Sequence, residues 1–414
     1  MTSMFQRNTL VATLLASVLG TSSAAMSEEV AQMTPMAPPI GSAAPAAPAA
    51  DKPIDIWGFE FTGYVDAGYQ NFSSGSGKFI SNTNARVFDF DRNALNLQNL
   101  ELQLAKIPEN GFGGMLDVTI GKDADTIAAY GMIDKNRGPA NGVNKKFDVT
   151  QLHLHYGAGP FSMIVGKFVT SAGAEVIKSP SNTNFSRGIL FGYAIPFTHT
   201  GLRATYKVSD TLSLIGGVNQ GWDAVQDTNS SKTIELGASI NPVKEFTLAA
   251  MLHNGKERIL NYPDAARAAA LDGTRNLVDI VATYNVTEKL TLVLNYDNAY
   301  QQNATLISGA TGTAKWDGWA GYVNYMINDQ WKVSLRGERF NDKDGYRTTV
   351  QAGATSGQIW KEATFTVAYM PVKNVELRGE VRFDRSDQNV FLDRDRRTGK
   401  SSQNSVGIEG IYKF

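Results

Sequence analysis

The side chains that most often perform catalysis or bind metal ions are scarce in this sequence. It has four histidines and no cysteine among 414 residues. His153 and His155 are two positions apart, so on a strand they would share one face and could bind a metal ion together. We favour the simpler interpretation that they are two polar residues on a wet strand face. The lack of cysteine excludes thiolate metal sites and disulfide scaffolds.

Short motifs that would identify an enzyme are also missing. The sequence has neither a Gly-x-Ser-x-Gly elbow nor a His-Glu-x-x-His pair. Residues 75–78 resemble a phosphate-binding loop only in part, because the required glycine spacing is absent. Asp123 and Asp125 could bind calcium weakly in a loop. We therefore predict no catalytic residue, no cofactor and no resident metal.

The regular spacing of charged residues says more about the fold than these motifs do. Between residues 374 and 384, apolar residues such as Leu377 and Val381 alternate with charged ones. This alternation is typical of a β-strand that has one apolar and one polar face. Applied along the chain, it assigns the following charges to polar faces: Asp66, Asp117, Arg203, Glu235, Asp279, Asp297, Arg336, Glu338, Glu376, Arg378, Glu380 and Arg382.

Composition restricts the classes of protein to which these strands can belong. A net charge of −1 provides no field for binding nucleic acid. Beyond residue 25, no run approaches the roughly 18 to 20 consecutive apolar residues of a membrane helix. Thirty-nine glycines and 10% aromatic residues suit many short strands joined by turns. The fold class is therefore predicted to be all-β.

Sixteen segments carry the strand pattern. They are 57–72, 94–107, 111–121, 148–157, 161–168, 198–207, 211–221, 232–241, 245–254, 276–286, 290–300, 316–327, 331–340, 359–370, 374–384 and 403–414. Near Gln98 and Asn99 the alternation changes phase, which predicts a β-bulge.

The connections between these segments alternate between tight turns and long loops. An even strand number with this alternation is typical of transmembrane antiparallel up-and-down β-barrels, which have short periplasmic turns and long extracellular loops. Strands that run toward the tight turns usually end on a tyrosine, for example Tyr156, Tyr284 and Tyr369, as expected of an aromatic girdle. The repeat length also fits a propeller blade, but no Gly-His to Trp-Asp signature recurs.

The two ends of the sequence agree with an exported barrel. Arg7, an apolar run and small residues up to Ala25 form the pattern of a cleaved signal peptide, assigned to residues 1–25. Residues 26–54 are rich in Pro and Ala and are predicted to be a periplasmic tether. The barrel is assigned to residues 55–414. Its terminal aromatic residue, Phe414, resembles the signal that the barrel-assembly machinery recognises.

The long loop 169–197 is unusually apolar. One hypothesis is that it folds into the barrel and buries Phe185, Leu190 and Phe191 against the wall, with its charges at the narrowest point. The alternative is that residues 187–194 form an extra strand. The charged candidates in this loop are Glu175, Lys178 and Arg187.

Several short groups of residues resemble one family. They are Gly63, Tyr64 and Asp66; Gly166, Lys167, Phe168, Gly173 and Glu175; Asn184, Arg187 and Gly188; Pro196, His199, Thr200 and Gly201; and Asn219, Gly221, Trp222 and Asp223. Over residues 57–414 the chain resembles the β-barrel porins of the second type, a family of bacterial outer-membrane barrels. The resemblance implies an outer-membrane channel and says little about the solute.

The sequence therefore predicts a porin that passes small polar solutes and ions through a water-filled channel. Its pore-lining or constriction candidates are Glu175, Lys178, Arg187, Arg203, Arg336, Glu338, Glu376, Arg378, Glu380 and Arg382. Expected partners are outer-membrane lipid, lipopolysaccharide and the barrel-assembly machinery, and the resemblance implies a homotrimer. A surface adhesin or structural barrel is an alternative, as is an outer-membrane hydrolase.

Overall fold

The computed structural model describes residues 54–73, 86–89, 93–133, 146–258, 272–306, 308, 310–348, 357–392 and 399–414. The predicted signal peptide and tether, except for Ile54, lie outside the described residues, and so does the segment 75–78. None of the helices in the described ranges is long and apolar enough to cross a membrane.

Sixteen long strands form one antiparallel sheet. They are β1 (Phe59–Phe72), β2 (Ala94–Lys106), β3 (Asn110–Ile120), β4 (Phe147–Ala158), β5 (Phe161–Val169), β6 (Thr198–Ser209), β7 (Leu212–Asn219), β8 (Thr233–Val243), β9 (Phe246–Glu257), β10 (Gly273–Asn285), β11 (Leu290–Thr305), β12 (Thr311–Met326), β13 (Trp331–Asp342), β14 (Gln358–Val372), β15 (Val375–Ser386) and β16 (Ser402–Lys413). Two-residue strands Phe391–Leu392 and Gly399–Lys400 form a small separate hairpin, and Ile54–Ile56 pairs with β1.

The sheet closes on itself. Each strand pairs with the next along the chain, and β16 pairs with β1, with Lys413 opposite Tyr64. Phe414 extends this seam, because its backbone N–H donates to the Gly63 carbonyl at 2.9 Å and its carbonyl accepts from Gly63 at 2.8 Å. Within the described residues, closure leaves the sixteen-stranded sheet without an open edge, as a membrane-spanning sheet requires. The predicted sixteen-strand barrel is confirmed.

Strand alternation sorts side chains between the outside and the lumen. On β15, Leu377 and Phe383 are 47% and 50% exposed, whereas Arg382 is 1% exposed. This distribution is the reverse of a soluble protein, in which large apolar side chains turn inward. It suits a barrel whose outer face contacts lipid. Aromatic side chains next to the tight turns pair on the outer face, and the rings of Trp331 and Tyr369 stack 4.5 Å apart.

The phase change predicted on the second strand is present. The pairing of β1 with β2 shifts register between Asp66 and Ala67, opposite Asn99 and Leu97, so that Gln98 is the additional residue. Gln98 and Asn99 are both buried as a result. The bulge restores the inward direction of Glu101, which contacts the lumen loop described below.

The connection between β5 and β6, residues 170–197, lies inside the barrel, and we call it the inner loop. It contains a 3₁₀ turn, Ser179–Ser181, and a short helix α2, Ile189–Tyr193; a preceding helix α1, Lys122–Ile127, belongs to another loop. Phe185, Leu190 and Phe191 are buried, as the inward-folding hypothesis expected. The alternative was wrong, since residues 189–193 are helical and do not form an extra strand.

Candidate functional site in the barrel lumen

Buried arginines on the wall hold the inner loop. Arg336 on β13 is fully buried, and its Nη1 donates to Glu175 Oε1 and to the Ser186 carbonyl, both at 2.6 Å. Its Nε donates to Glu362 Oε2 on the next strand at 2.9 Å. One guanidinium therefore links two strands to two points on the loop. Such hydrogen bonds between charged groups are among the strongest in proteins.

Two further arginines on β15 repeat this arrangement. Arg378 forms ion pairs with Glu376 at 2.8 Å and Glu409 at 3.0 Å, and its Nη2 donates to the Asn182 carbonyl at 2.8 Å. Arg382 pairs with Asp384 at 2.7 Å, and its Nη1 donates to the Arg187 carbonyl at 2.7 Å. The loop carbonyls thereby receive donors that water would otherwise supply.

Carboxylates on the wall accept hydrogen bonds from backbone N–H groups of the same loop. Glu380 accepts from the backbone N–H groups of Phe185 at 2.8 Å and Ser186 at 3.1 Å. Glu338 accepts from Ile189 at 2.7 Å and Leu190 at 3.2 Å, where α2 begins. The first N–H groups of a helix have no partner within the helix, so a carboxylate there both satisfies and attracts them.

The loop also contacts the first strands of the barrel. Ser179 Oγ donates to Asp66 Oδ2 at 2.5 Å, and Lys178 Nζ lies 2.5 Å from Glu101 Oε1 and 4.0 Å from Asp117. The Lys178 side chain keeps 33% of its surface exposed. The other nine charges proposed for the pore are buried. Lys178 is therefore the member of that set with the most access to lumen water.

Arg187 belongs to the loop itself and faces two carboxyl groups from other loops. Its guanidinium donates to the Ile177 carbonyl at 2.7 Å and lies 5.6 Å from the centre of the Phe88 ring. Asp89 accepts from the Arg187 backbone N–H at 3.2 Å. Burial raises the pKa of Asp89 to about 6, although the Arg187 charge opposes the rise. Burial likewise raises the pKa of Asp123 well above its usual value, again against Arg187.

An apolar cluster completes the attachment. Leu190 and Phe191 pack with Phe88, Trp316 and Phe340 in one buried core inside the barrel. Trp316 Nε1 on β12 donates to the Ala194 carbonyl at 3.0 Å. Removing such side chains from water stabilises the loop position by about 25 cal/mol for each Å² of apolar surface. The inward fold of the loop therefore has both polar and apolar support.

These contacts are distributed unevenly around the wall. From Ala174 to Ala194, the polar contacts of the loop reach β1 and β11–β15, and Lys178 adds β2 and β3. The β11 contact is from the Ala174 N–H to Asn295 at 3.1 Å, and the β14 contact is from Asn184 to Thr366 at 2.7 Å. On the opposite wall, the inward-facing side chains next to the tight turns keep partial exposure, namely Ser162, Thr205, Ser213 and Thr247. Farther along those strands the wall is buried, and Ile215 and Met251 belong to the same apolar cluster as the loop. The polar contacts of the loop are therefore concentrated on one arc of the barrel.

Arg203, on β6, lies outside the strands that make most of the polar contacts with the loop, and its main partner is a carboxylate of the wall. Its guanidinium binds Glu235 of β8 through two hydrogen bonds of 2.5 and 2.9 Å. A third hydrogen bond, at 3.1 Å, reaches the Val169 carbonyl at the start of the inner loop. Arg203 therefore connects the start of the inner loop to β8.

The structure brings all ten predicted site residues into the lumen, and their role at a constriction stays a prediction. Sequence reasoning did not single out three acceptors, Glu101, Glu362 and Glu409. Alternation on β14 and β16 could have identified Glu362 and Glu409, since each lies on the same face as its buried neighbours. Glu101 was obscured by the bulge at Gln98, which changes the phase of the strand.

Comparison with known proteins identifies one matching family. The family model described as "Putative beta-barrel porin-2, OmpL-like" matches residues 58–414. No curated protein matches the sequence. The family match covers the whole of the barrel described above.

Several solved structures share the barrel fold at low sequence identity. OmpT of Vibrio cholerae in its trimer form has a TM-score of 0.57 at 11% identity, over 86% of this chain and 99% of that chain. The anion-selective porin from Comamonas acidovorans gives 0.57 at 11%, over 86% and 99% of the two chains. Pseudomonas putida OprB gives 0.55 at 11%, over 86% and 94%. At these identities the likeness establishes the fold alone.

Proposed function

Because the chain belongs to the OmpL-like family of beta-barrel porins, which are proteins of the bacterial outer membrane, we propose that it is a channel for passive diffusion of small polar solutes and ions. The observation that carries this proposal is the closed sixteen-stranded wall around a lumen whose inward faces are rich in polar and charged side chains, with the inner loop folded into it. A loop held inside the lumen in this way narrows it. A sixteen-stranded barrel is wide enough for such an aqueous path.

We propose that the short-turn end of the passage follows the inward faces of strands β5–β9, which are partly exposed there. The wall there presents Ser162, Thr205, Ser213 and Thr247, whose hydroxyl groups can exchange hydrogen bonds with passing solutes. Lys207 of β6, which is 42% exposed beside Asp210, and Lys178 of the inner loop, which Glu101 and Asp117 offset, supply partly exposed charges. A lining of this kind favours small polar solutes with weak ion selectivity.

The proposal excludes a catalytic role for the lumen charges. Most of them are saturated by ion pairs and by loop backbone groups, as Arg336 and Arg378 illustrate. A general acid or base has to reach the proton that it transfers, and these groups are enclosed. An adhesin or a structural barrel, in contrast, could have the same lumen and would not conduct ions.

Planar-bilayer recording of the purified, refolded protein separates these functions. Stable conductance steps with a reversal potential under a salt gradient are expected for the channel. Swelling of liposomes that contain the protein, in isosmotic solutions of neutral sugars of increasing size, then gives the size limit for solutes. A folded barrel that neither conducts nor admits the smallest sugar would contradict the channel and favour an adhesin.

We also propose that the barrel functions as a homotrimer bound to outer-membrane lipid and lipopolysaccharide. One similar structure is described as a trimer form. The barrel-assembly machinery is the partner proposed for Phe414, whose ring packs against Gly63 on β1. Cleavage of residues 1–25 would precede that step. Native mass spectrometry of protein extracted from membranes would give the copy number, and a monomer would contradict the trimer.

A further inference from the structure

Two histidines and one glutamate meet on the lumen wall close to the root of the inner loop. His199 lies on β6, Glu235 on β8 and His253 on β9. One ligand atom from each lies within 4.8 Å of the others, and all three residues are fully buried. The pairing of β8 with β9 sets Glu235 directly opposite His253. Each side chain therefore points inward from a rigid strand.

His253 is the unusual member of this cluster. Neither of its ring nitrogens has a hydrogen-bond partner among the described residues, although the side chain is completely buried. Its Nδ1 lies 3.8 Å from Glu235 Oε2, which is too long for a hydrogen bond. Buried polar atoms are normally satisfied, and an exception calls for a ligand, an ion or ordered water. Asn219 Oδ1, on the adjoining strand β7, is a second buried atom without a partner in the described structure.

We propose that His199, Glu235 and His253 form a binding site for one divalent transition-metal ion, of which Zn²⁺ is the probe. Two imidazoles and one carboxylate are a ligand set that zinc accepts, whereas calcium and magnesium prefer oxygen ligands. This inference goes beyond the proposed channel and does not depend on it. The site uses different histidines from His153 and His155, the pair whose spacing on a strand could have bound a metal ion.

Side-chain rotation is needed to bring the three groups to coordination distance. Zinc binds imidazole nitrogen and carboxylate oxygen at about 2.0–2.2 Å, so neighbouring ligand atoms must lie about 3.3 Å apart in a tetrahedral site. The His199 and His253 rings are stacked, with centroids 4.8 Å apart and planes 7° apart. Because imidazole lone pairs lie in the ring planes, the two rings have to leave their stack to bind one ion. The final side-chain torsion has a broad energy well and permits this rotation.

Arg203 supports the carboxylate without occupying all of it. Its Nε and Nη2 bind Glu235 Oε1 and Oε2 at 2.5 and 2.9 Å. Oε2 also accepts from Asn219 Nδ2 at 3.3 Å. Each carboxylate oxygen has two lone pairs, so a metal ion can bind Oε2 by displacing this long hydrogen bond while Arg203 stays in place. A hydrogen-bonded partner that orients a ligating carboxylate is a common outer-shell arrangement. The adjacent guanidinium charge also disfavours hard cations, whose binding depends mainly on charge.

Because of the position of the site, a bound metal ion would stabilise the inner loop. His199 follows Phe197, the last residue of the inner loop, by two positions, and its Nε2 lies 3.3 Å from Thr170 Oγ1 at the start of the loop. A metal ion at the cluster would connect both ends of the loop to β8 and β9. Bound zinc is therefore expected to raise the thermal stability of the folded barrel as well as to occupy the site.

Titration of the full refolded chain with Zn²⁺, followed by calorimetry, tests the proposal. One equivalent is expected to bind, and His253→Gln and His199→Gln should each weaken binding by about tenfold or more. His155→Gln is the matched control, because His155 is also a buried lumen histidine but lies outside the cluster. Circular dichroism and heat-modifiable gel mobility identify any variant that fails to fold.

A spectroscopic measurement on the wild-type protein tests the site independently of whether the variants fold. Wild-type protein loaded with one equivalent of Cu²⁺ should give an electron paramagnetic resonance spectrum with hyperfine splitting from two imidazole nitrogens. The proposal would be overturned if the protein did not bind one equivalent of metal ion, or if the spectrum lacked the signal of two nitrogens. It would also be overturned if binding were lost in His155→Gln and kept in His253→Gln.

Discussion

Arg336 carries the densest set of contacts between the wall and the inner loop. Replacing it with Ala removes the cation that pairs with Glu175 and leaves Glu362 with the more distant Arg382, at 3.9 Å. Breaking a buried ion pair typically costs about 3–5 kcal/mol. We expect the loop to loosen and the conductance to become larger and noisier. Arg339→Ala is the control, since Arg339 lies on the same strand but contacts Asp317 with 32% of its side chain exposed. Equal effects of the two substitutions in planar bilayers would contradict this account of Arg336.

Among the ten predicted site charges, Lys178 is the most able to influence passing ions, because the other nine are buried. Lys178→Gln removes a partly exposed cation and leaves Glu101 and Asp117 beside the passage, so the reversal potential should shift toward cation selectivity. Lys361→Gln is the matched control, because Lys361 is exposed on the opposite face of a wall strand. A shift of the same size in both variants would mean that Lys178 does not face the passage.

Asp89 should give the channel a pH dependence near pH 6. Burial raises the pKa of Asp89 to about 6, so acidification from pH 7.5 to pH 5 adds a proton beside Arg187 and should move ion selectivity toward anions. Because the folded-state pKa lies above the ordinary value, the contribution of this group to the free energy of unfolding decreases as pH rises from about 4 to about 6. Asp89→Asn should abolish the transition in reversal potential. A midpoint that persists in this variant would assign it to another group.

At the scale of elements, the position of the inner loop depends on glycines in the wall. The Phe185 ring occupies the space that a side chain on Gly68 of β1 or Gly407 of β16 would need. Gly68→Val should therefore displace Phe185 and raise the conductance. Gly379→Val, also within a strand, is the control because no atom lies within 4 Å of its added carbon. Unchanged conductance in Gly68→Val would show that the ring does not fix the loop.

Strand periodicity predicted the elements of the wall, but it could not predict the contacts of the loop. Alternation identified Arg378 and Arg382 as inward-facing because a strand has a period of two residues. Their partners include the carbonyl groups of Asn182 and Arg187, which belong to an irregular segment. Which backbone atoms such a segment presents depends on its tertiary position, for which the sequence has no periodic signal. The helix Ile189–Tyr193 was missed because five apolar residues suit a strand equally well.

At the scale of the whole molecule, the barrel is polar inside and apolar outside, and the inner loop makes the interior asymmetric. Wall charges that could have lined an open pore instead bind the loop, and small hydroxyl side chains keep partial exposure next to the tight turns of β5–β9. The central claim is that the loop, held in this way, sets the width of the passage. The candidate metal site at its root would connect the same loop to β8 and β9.

Single-channel conductance of a variant that lacks residues 179–186, compared with the wild type in the same bilayer, tests this claim most directly. The deletion removes the 3₁₀ turn together with Phe185 and Ser186, and with them the contacts to Asp66, Arg378 and Glu380. We expect a folded barrel with a higher conductance and a larger sugar-size limit in liposome swelling. A folded variant whose conductance equals that of the wild type would contradict the account, because the passage would then lie away from the inner loop.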